Sequence, residues 1–162
     1  MVDIIMIGAG NRGYFAYGEA LKTVEESRVV AIAEPDKLRR ERFAERHGIR
    51  TEDSVADWKV LLSRPKFADG VIVATPETVH VEPTIEALAR GYSVLLEKPI
   101  SVGLSGVAAL TESGVDISRL FVAHVLRYSS FFKQLKSLLD SDSVGRIQAV
   151  EYTEQVSFYH FA

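Results

Sequence analysis

Residues 4–13 run IIMIGAGNRG: four apolar residues pass directly into three glycines at GxGxxG spacing. An uninterrupted apolar run bounded by a glycine turn reads as a short strand buried on both faces. Each glycine answers a different steric demand. Gly8 allows the tight turn off the strand, Gly10 lets a ligand approach the backbone, and Gly13 lets the following helix pack against the strand. Asn11 and Arg12 then open that helix, where free N–H groups favour an anion such as a diphosphate.

Further apolar runs repeat the pattern. Val29–Ala33, Val71–Ala74, Val94–Leu96 and Leu120–Val125 read as strands with Ile4–Ile7, separated by amphipathic stretches. Gly48 and Gly91 follow two of these stretches as C-terminal helix caps, and Pro83 fits the first turn of its helix. The alternation predicts an α/β fold with a doubly wound parallel sheet over residues 1–124. From residue 125 the pattern changes. Phe131, Phe132, Leu135, Leu138 and Leu139 mark one face of a helix, and a strand is expected from about Ile147 to Val156 with nothing after it to pair with. Residues 125–162 are therefore expected to be the incomplete start of a second α/β domain, the terminal FYHFA being its interior face.

The second strand ends at Glu34, 21 residues after Gly13. A dinucleotide site expects an acid there to accept hydrogen bonds from the adenosine ribose hydroxyls. Its charge repels a 2′-phosphate, which favours NAD over NADP. Arg39 and Arg40 follow closely and either reach back toward such a phosphate or are simply exposed on a helix. The glycine spacing alone also suits a Rossmann-like domain for another ligand, such as S-adenosylmethionine.

Composition excludes several classes. The formal net charge of −3 provides no broad basic field for nucleic acid or an anionic membrane, and the cations of Lys37–Arg46 are interleaved with Glu41 and Glu45. There are no cysteines, so disulfides, thiolate metal sites and a cysteine nucleophile are excluded. No metal-ligand spacing, signal peptide or membrane-length apolar stretch is present, and a cytoplasmic location is expected.

Three more segments join the glycine turn and AEPD (33–36): VATPETVH (73–80), LLEKPIS (95–101) and VAHVLRYSSFF (122–132). Together, in this order, they resemble the Gfo/Idh/MocA oxidoreductase family over essentially the whole chain. The resemblance implies an N-terminal Rossmann domain and a C-terminal domain built on a large, mostly antiparallel sheet. It implies that Lys98 lies beside the nicotinamide and the reacting carbinol, with Glu97 and Pro99 completing the motif and the Lys98–Pro99 bond often cis. Thr75 and Pro76 match a loop near the cofactor, and Arg127 and Tyr128 a segment leading toward the substrate. Glu77 stands where many relatives carry Asn.

A buried lysine near a positive ring is suited to acid–base work or to polarising a substrate oxygen. His80 and His124 are further substrate-side candidates; the alternatives are that His80 only caps or packs and that His124 is a core residue. Trp58 is expected to pack a helix. The function expected is hydride transfer between NAD and a secondary alcohol of a sugar, cyclitol or related polyol, by a homo-oligomer as the full-length protein. This chain alone is expected to bind cofactor and turn over poorly or not at all. The alternative is a stand-alone dinucleotide-binding module.

Overall fold

The computed structural model of the protein describes residues 1–155. Its first unit, Met1–His124, is organised around six parallel strands. They are β1 (Val2–Ile7), β2 (Ser27–Ala33), β3 (Ser54–Val55), β4 (Gly70–Val73), β5 (Ser93–Leu96) and β6 (Leu120–Val122). Their order across the sheet is β3-β2-β1-β4-β5-β6. The chain winds outward from β1 in one direction and then from β4 in the other, so the crevice between β1 and β4 is the topological switch point. The doubly wound α/β expectation holds.

Alternation along each strand serves two cores. Ile5 and Ile7 join Val71, Val73, Val94 and Leu96 on one face, while Ile4 and Met6 join Ile32, Phe43 and Ile72 on the other. The helices α3 (Trp58–Leu62), α4 (Val81–Ala89) and α5 (Leu104–Glu112) cover the first face through Leu61, Leu62, Ala87, Leu88 and Leu110. On the second, α2 (Lys37–His47) contributes Phe43 and Ala44. Asp36 caps α2 by accepting the Arg39 N–H at 2.9 Å, and Gly48, at φ 66°, ends it in the left-handed conformation.

The segment after the glycine turn is π-helical over Arg12–Gly18 and becomes α-helical at α1 (Glu19–Leu21). One strand expectation needs correction here, and one strand was not expected. The last strand stops at Val122 rather than Val125, and Phe121 within it is exposed, because β6 is the edge of the sheet and not a doubly covered interior strand. The two-residue β3 had no apolar run to announce it.

The second unit begins at Val125. A 3-10 turn (Val125–Tyr128) leads into α6 (Ser130–Asp140), capped by Ser129, whose Oγ accepts the Phe132 N–H. The face carrying Phe131, Leu135, Leu138 and Leu139 is exposed. No strand forms from Ile147 through Gln155. A strand is stable only when its backbone groups pair, and alternating apolar residues supply no partner edge. Val156 and the FYHFA cluster lie outside the described residues. Among the described residues no helix is long and apolar enough to cross a membrane.

Candidate functional site

The hydrogen-bond ladder of the sheet runs one step past the strand ends and fixes the loops there. Gly8 N–H donates to Ala33 O at 2.8 Å, Ala74 N–H to Ile7 O at 2.8 Å, and Glu97 N–H to Val73 O at 2.9 Å. The carboxyl rim therefore carries the glycine turn, Glu34, Thr75 and Lys98 on rigid exits rather than free loops. They border one cleft of about 710 Å3, whose walls also include Asn11, Arg12, Pro76, Glu77 and His80. Gly13 and Pro99 lie outside that lining.

The three glycines divide their work as their surroundings require. A Cβ on Gly8 would stand 2.7 Å from Ala74 O, and its φ of +94° already disfavours other residues. A Cβ on Gly13 would stand 2.0 Å from Gly8 O, so its absence is what lets the helix meet the turn. A Cβ on Gly10 would meet no protein atom within 4 Å. Glycine there keeps open space above the backbone, as close approach of a diphosphate demands.

Glu34 is buried, and backbone donors hold its carboxylate: Oε2 accepts Ala9 N–H at 2.7 Å, and Oε1 accepts Asp36 N–H at 3.0 Å. Each oxygen retains acceptor capacity. Of the two arginines, Arg40 donates to the carbonyls of Glu34 and Pro35, whereas Arg39 borders the cleft.

Lys98 borders the cleft but is exposed, which corrects the expected burial; it follows the strand's last ladder residue, where the chain turns out of the sheet. Its neighbour Glu97 turns inward instead. Glu97 Oε1 accepts the Tyr17 hydroxyl at 2.7 Å, and Oε2 accepts Lys98 N–H at 3.0 Å. Arg12 Nε stands 3.9 Å from the same carboxylate. Burial, and then the bond to Glu97, push the Tyr17 phenol well above its usual range. The Lys98–Pro99 peptide is cis, as the resemblance implied.

His80 is buried, with Nδ1 2.7 Å from Pro99 O and Nε2 2.7 Å from Thr75 O. Both ring nitrogens face backbone carbonyls in this structure. A neutral ring has one N–H and satisfies one of these carbonyls; the doubly protonated ring satisfies both. Thr75 Oγ1, in the same wall, is buried without a partner among the described residues. His124 is exposed two residues beyond β6 and outside the cleft lining, so it is not a core residue. Arg127 and Tyr128 belong to the second unit, where Tyr128 is exposed and Arg127 borders a groove along α6.

Sequence reasoning missed Tyr17, which had no signal because its partner lies 80 residues away. It also missed the place of Asp57 and Trp58 in the cleft wall; Trp58 packs on the core as expected and borders the cleft as well. Among the described residues no group of three or more His, Asp or Glu side chains is placed to hold a metal ion.

The chain is similar to several known proteins. The chain is 32% identical over 149 residues to an inositol 2-dehydrogenase of Streptomyces avermitilis, covering 90% of this chain and 42% of that protein. It is 28% identical over 152 residues to a glucose-6-phosphate 3-dehydrogenase of Bacillus subtilis, covering 93% and 41%. A myo-inositol dehydrogenase from Corynebacterium glutamicum superposes with a TM-score of 0.81 at 25% identity, covering 90% and 43%. The chain thus spans about two fifths of the length of these relatives. Residues 2–124 match the family described as oxidoreductases with an NAD-binding Rossmann fold, so the chain belongs to the Gfo/Idh/MocA oxidoreductase family, and its first unit is that family's NAD-binding domain.

Proposed function

We propose that the whole protein is an NAD-dependent dehydrogenase acting on a secondary alcohol of a sugar, cyclitol or related polyol, with this chain supplying the cofactor side of the site. The observation that carries the reading is convergence: the open glycine turn, the Glu34 carboxylate and Lys98 border one cleft at the sheet's carboxyl rim. The names of the relatives, inositol and glucose-6-phosphate dehydrogenases, support a polyhydroxylated substrate.

The residues fit NAD. The empty volume above Gly10 admits a diphosphate, and Glu34 has acceptor capacity for ribose hydroxyls while its charge opposes a 2′-phosphate. NAD, when bound, supplies the hydride acceptor. Oxidation of an alcohol also releases the hydroxyl proton, which passes to a base or to water, and Lys98 is the group at this rim that meets the reacting oxygen and polarises it as the carbonyl forms. Substrate-side roles for His124, Arg127 and Tyr128, homo-oligomeric assembly and a cytoplasmic location belong to the same proposal; those of Arg127 and Tyr128 rest on the family resemblance.

Fluorescence titration of the chain with NADH and NADPH tests the cofactor half. Saturable binding that favours NADH is expected, and a folded chain that binds neither overturns the reading. In the protein extended to the length of its relatives, Lys98→Met is expected to abolish polyol-dependent NAD reduction while NADH still binds.

A further inference from the structure

We infer that His80 is a positioning residue for Lys98, acting as a strut between the exits of β4 and β5. Its bearing on catalysis rests on the reading of Lys98 given above; the bracing itself does not.

Lys98 is flanked by two residues that are each anchored. On its N-terminal side Glu97 is fixed by the ladder bond to Val73 O and by the Tyr17 hydroxyl. On its C-terminal side the Pro99 carbonyl meets His80 Nδ1 at 2.7 Å, while Nε2 of the same ring meets Thr75 O at 2.7 Å. The imidazole nitrogens point away from each other, so one ring reaches carbonyls on opposite sides. Shorter hydroxyl side chains have no such span.

The base of the strut is itself fixed. The His80 carbonyl accepts the Thr84 hydroxyl at 2.7 Å from the first turns of α4, and Thr84 is fully buried. His80 is 1% exposed, so its side chain is shielded from water. Loss of the ring frees the Pro99 side of Lys98 and removes the contact that links the Pro99 and Thr75 carbonyls. Lys98 then samples orientations that do not meet a ligand at the cleft.

The test compares His80→Leu, which keeps bulk and loses both contacts, with His80→Gln, whose amide N–H groups replace part of the strut. Amide hydrogen exchange of Lys98, whose N–H is bound to Glu97, is measured in the ligand-free chain against the β1 amides of Ile5–Ile7 as an internal reference. Exchange at Lys98 is expected to rise about tenfold relative to β1 in the leucine variant and to recover in part in the glutamine variant. Both variants are also titrated with NADH and with ADP-ribose, which lacks the nicotinamide. The advantage of NADH over ADP-ribose is expected to fall in the leucine variant while ADP-ribose affinity holds. Unchanged relative exchange at Lys98, or no recovery with glutamine, overturns the strut, as does an equal fall for both ligands. Failure of the unaltered chain to bind either ligand overturns the cofactor reading instead, and the exchange comparison still decides the strut. If the leucine variant does not fold, His80→Asn, whose shorter amide cannot span both carbonyls, takes its place: accelerated exchange at Lys98 supports the strut and wild-type exchange overturns it.

Discussion

The Tyr17 hydroxyl donates to Glu97 Oε1 at 2.7 Å, joining the helical segment after the glycine turn to the residue before Lys98. The bond spans 80 positions of sequence and ties the two parts of the rim that the proposed chemistry uses. Glu97 is buried, so its carboxylate oxygens need such donors. Tyr17→Phe leaves that carboxylate one donor short, and a loss of roughly 1–3 kcal/mol is expected by urea unfolding. The raised phenol adds a pH signature. A group whose folded value is raised contributes stability that is fully present below its unfolded value and is lost as pH climbs through the folded one. The gap between wild type and variant should therefore stay constant through neutral pH and shrink only beyond the ordinary phenol value of 10.0. Equal midpoints for the two proteins at neutral pH would remove the brace.

The glycines permit a sharper separation of folding from binding. Gly13→Ala sets a methyl 2.0 Å from Gly8 O and should unfold or severely destabilise the domain. Gly10→Ala meets no protein atom within 4 Å, so its melting temperature should stay near that of the wild type. Its NADH affinity should drop by about tenfold or more, because the methyl occupies the space a diphosphate needs. Thermal melts paired with NADH titration check both variants. Full NADH affinity in Gly10→Ala would place the diphosphate elsewhere.

Glu34 couples cofactor choice to loop architecture. Both hydrogen bonds to its carboxylate come from backbone N–H donors. In Glu34→Gln one N–H must face the amide NH2 group, so a stability loss of about 1–3 kcal/mol is expected along with weaker discrimination against NADP. The ratio of NADPH to NADH affinity should rise in the variant, Arg39 being the cation already at the cleft. An unchanged ratio would show that the Glu34 charge does not set the preference.

The parts of this fold legible in the sequence were those in which local pattern and tertiary role coincide. β1, β2, β4 and β5 are buried on both faces, so their apolar runs marked them within a few residues. β3 was illegible because two residues at a sheet edge, Ser54 and Val55, need no apolar run. The expected strand from Ile147 failed for the opposite reason: its pattern was present, but a pattern supplies no pairing edge. At the site, residues tied to a motif were found, whereas Tyr17 and the bridging role of His80 arise only when distant segments meet. Lys98 was legible as a rim residue. Its exposure was not, since burial depends on what the surrounding chain covers.

His47 should make the domain less stable in mild acid. It ends α2, stacks on the buried Phe43 ring at 4.4 Å and 26°, and is held below its ordinary value of 6.5 by burial first and by Lys22 next. A histidine depressed in the fold binds its proton more readily in the unfolded chain. Stability from this group is therefore fully present above 6.5 and is lost as pH falls from there through the lower folded value. The carboxylates of Asp3 and Asp116, lowered chiefly by their hydrogen bonds to Arg28 and Ser118, lose stability only further down, below the ordinary carboxylate value of 3.8. The two windows are separable in urea midpoints collected across pH. His47→Gln, which does not titrate, should flatten the dependence just below 6.5 while leaving the carboxylate window intact. A slope there that persists in the variant would assign that proton uptake to another group.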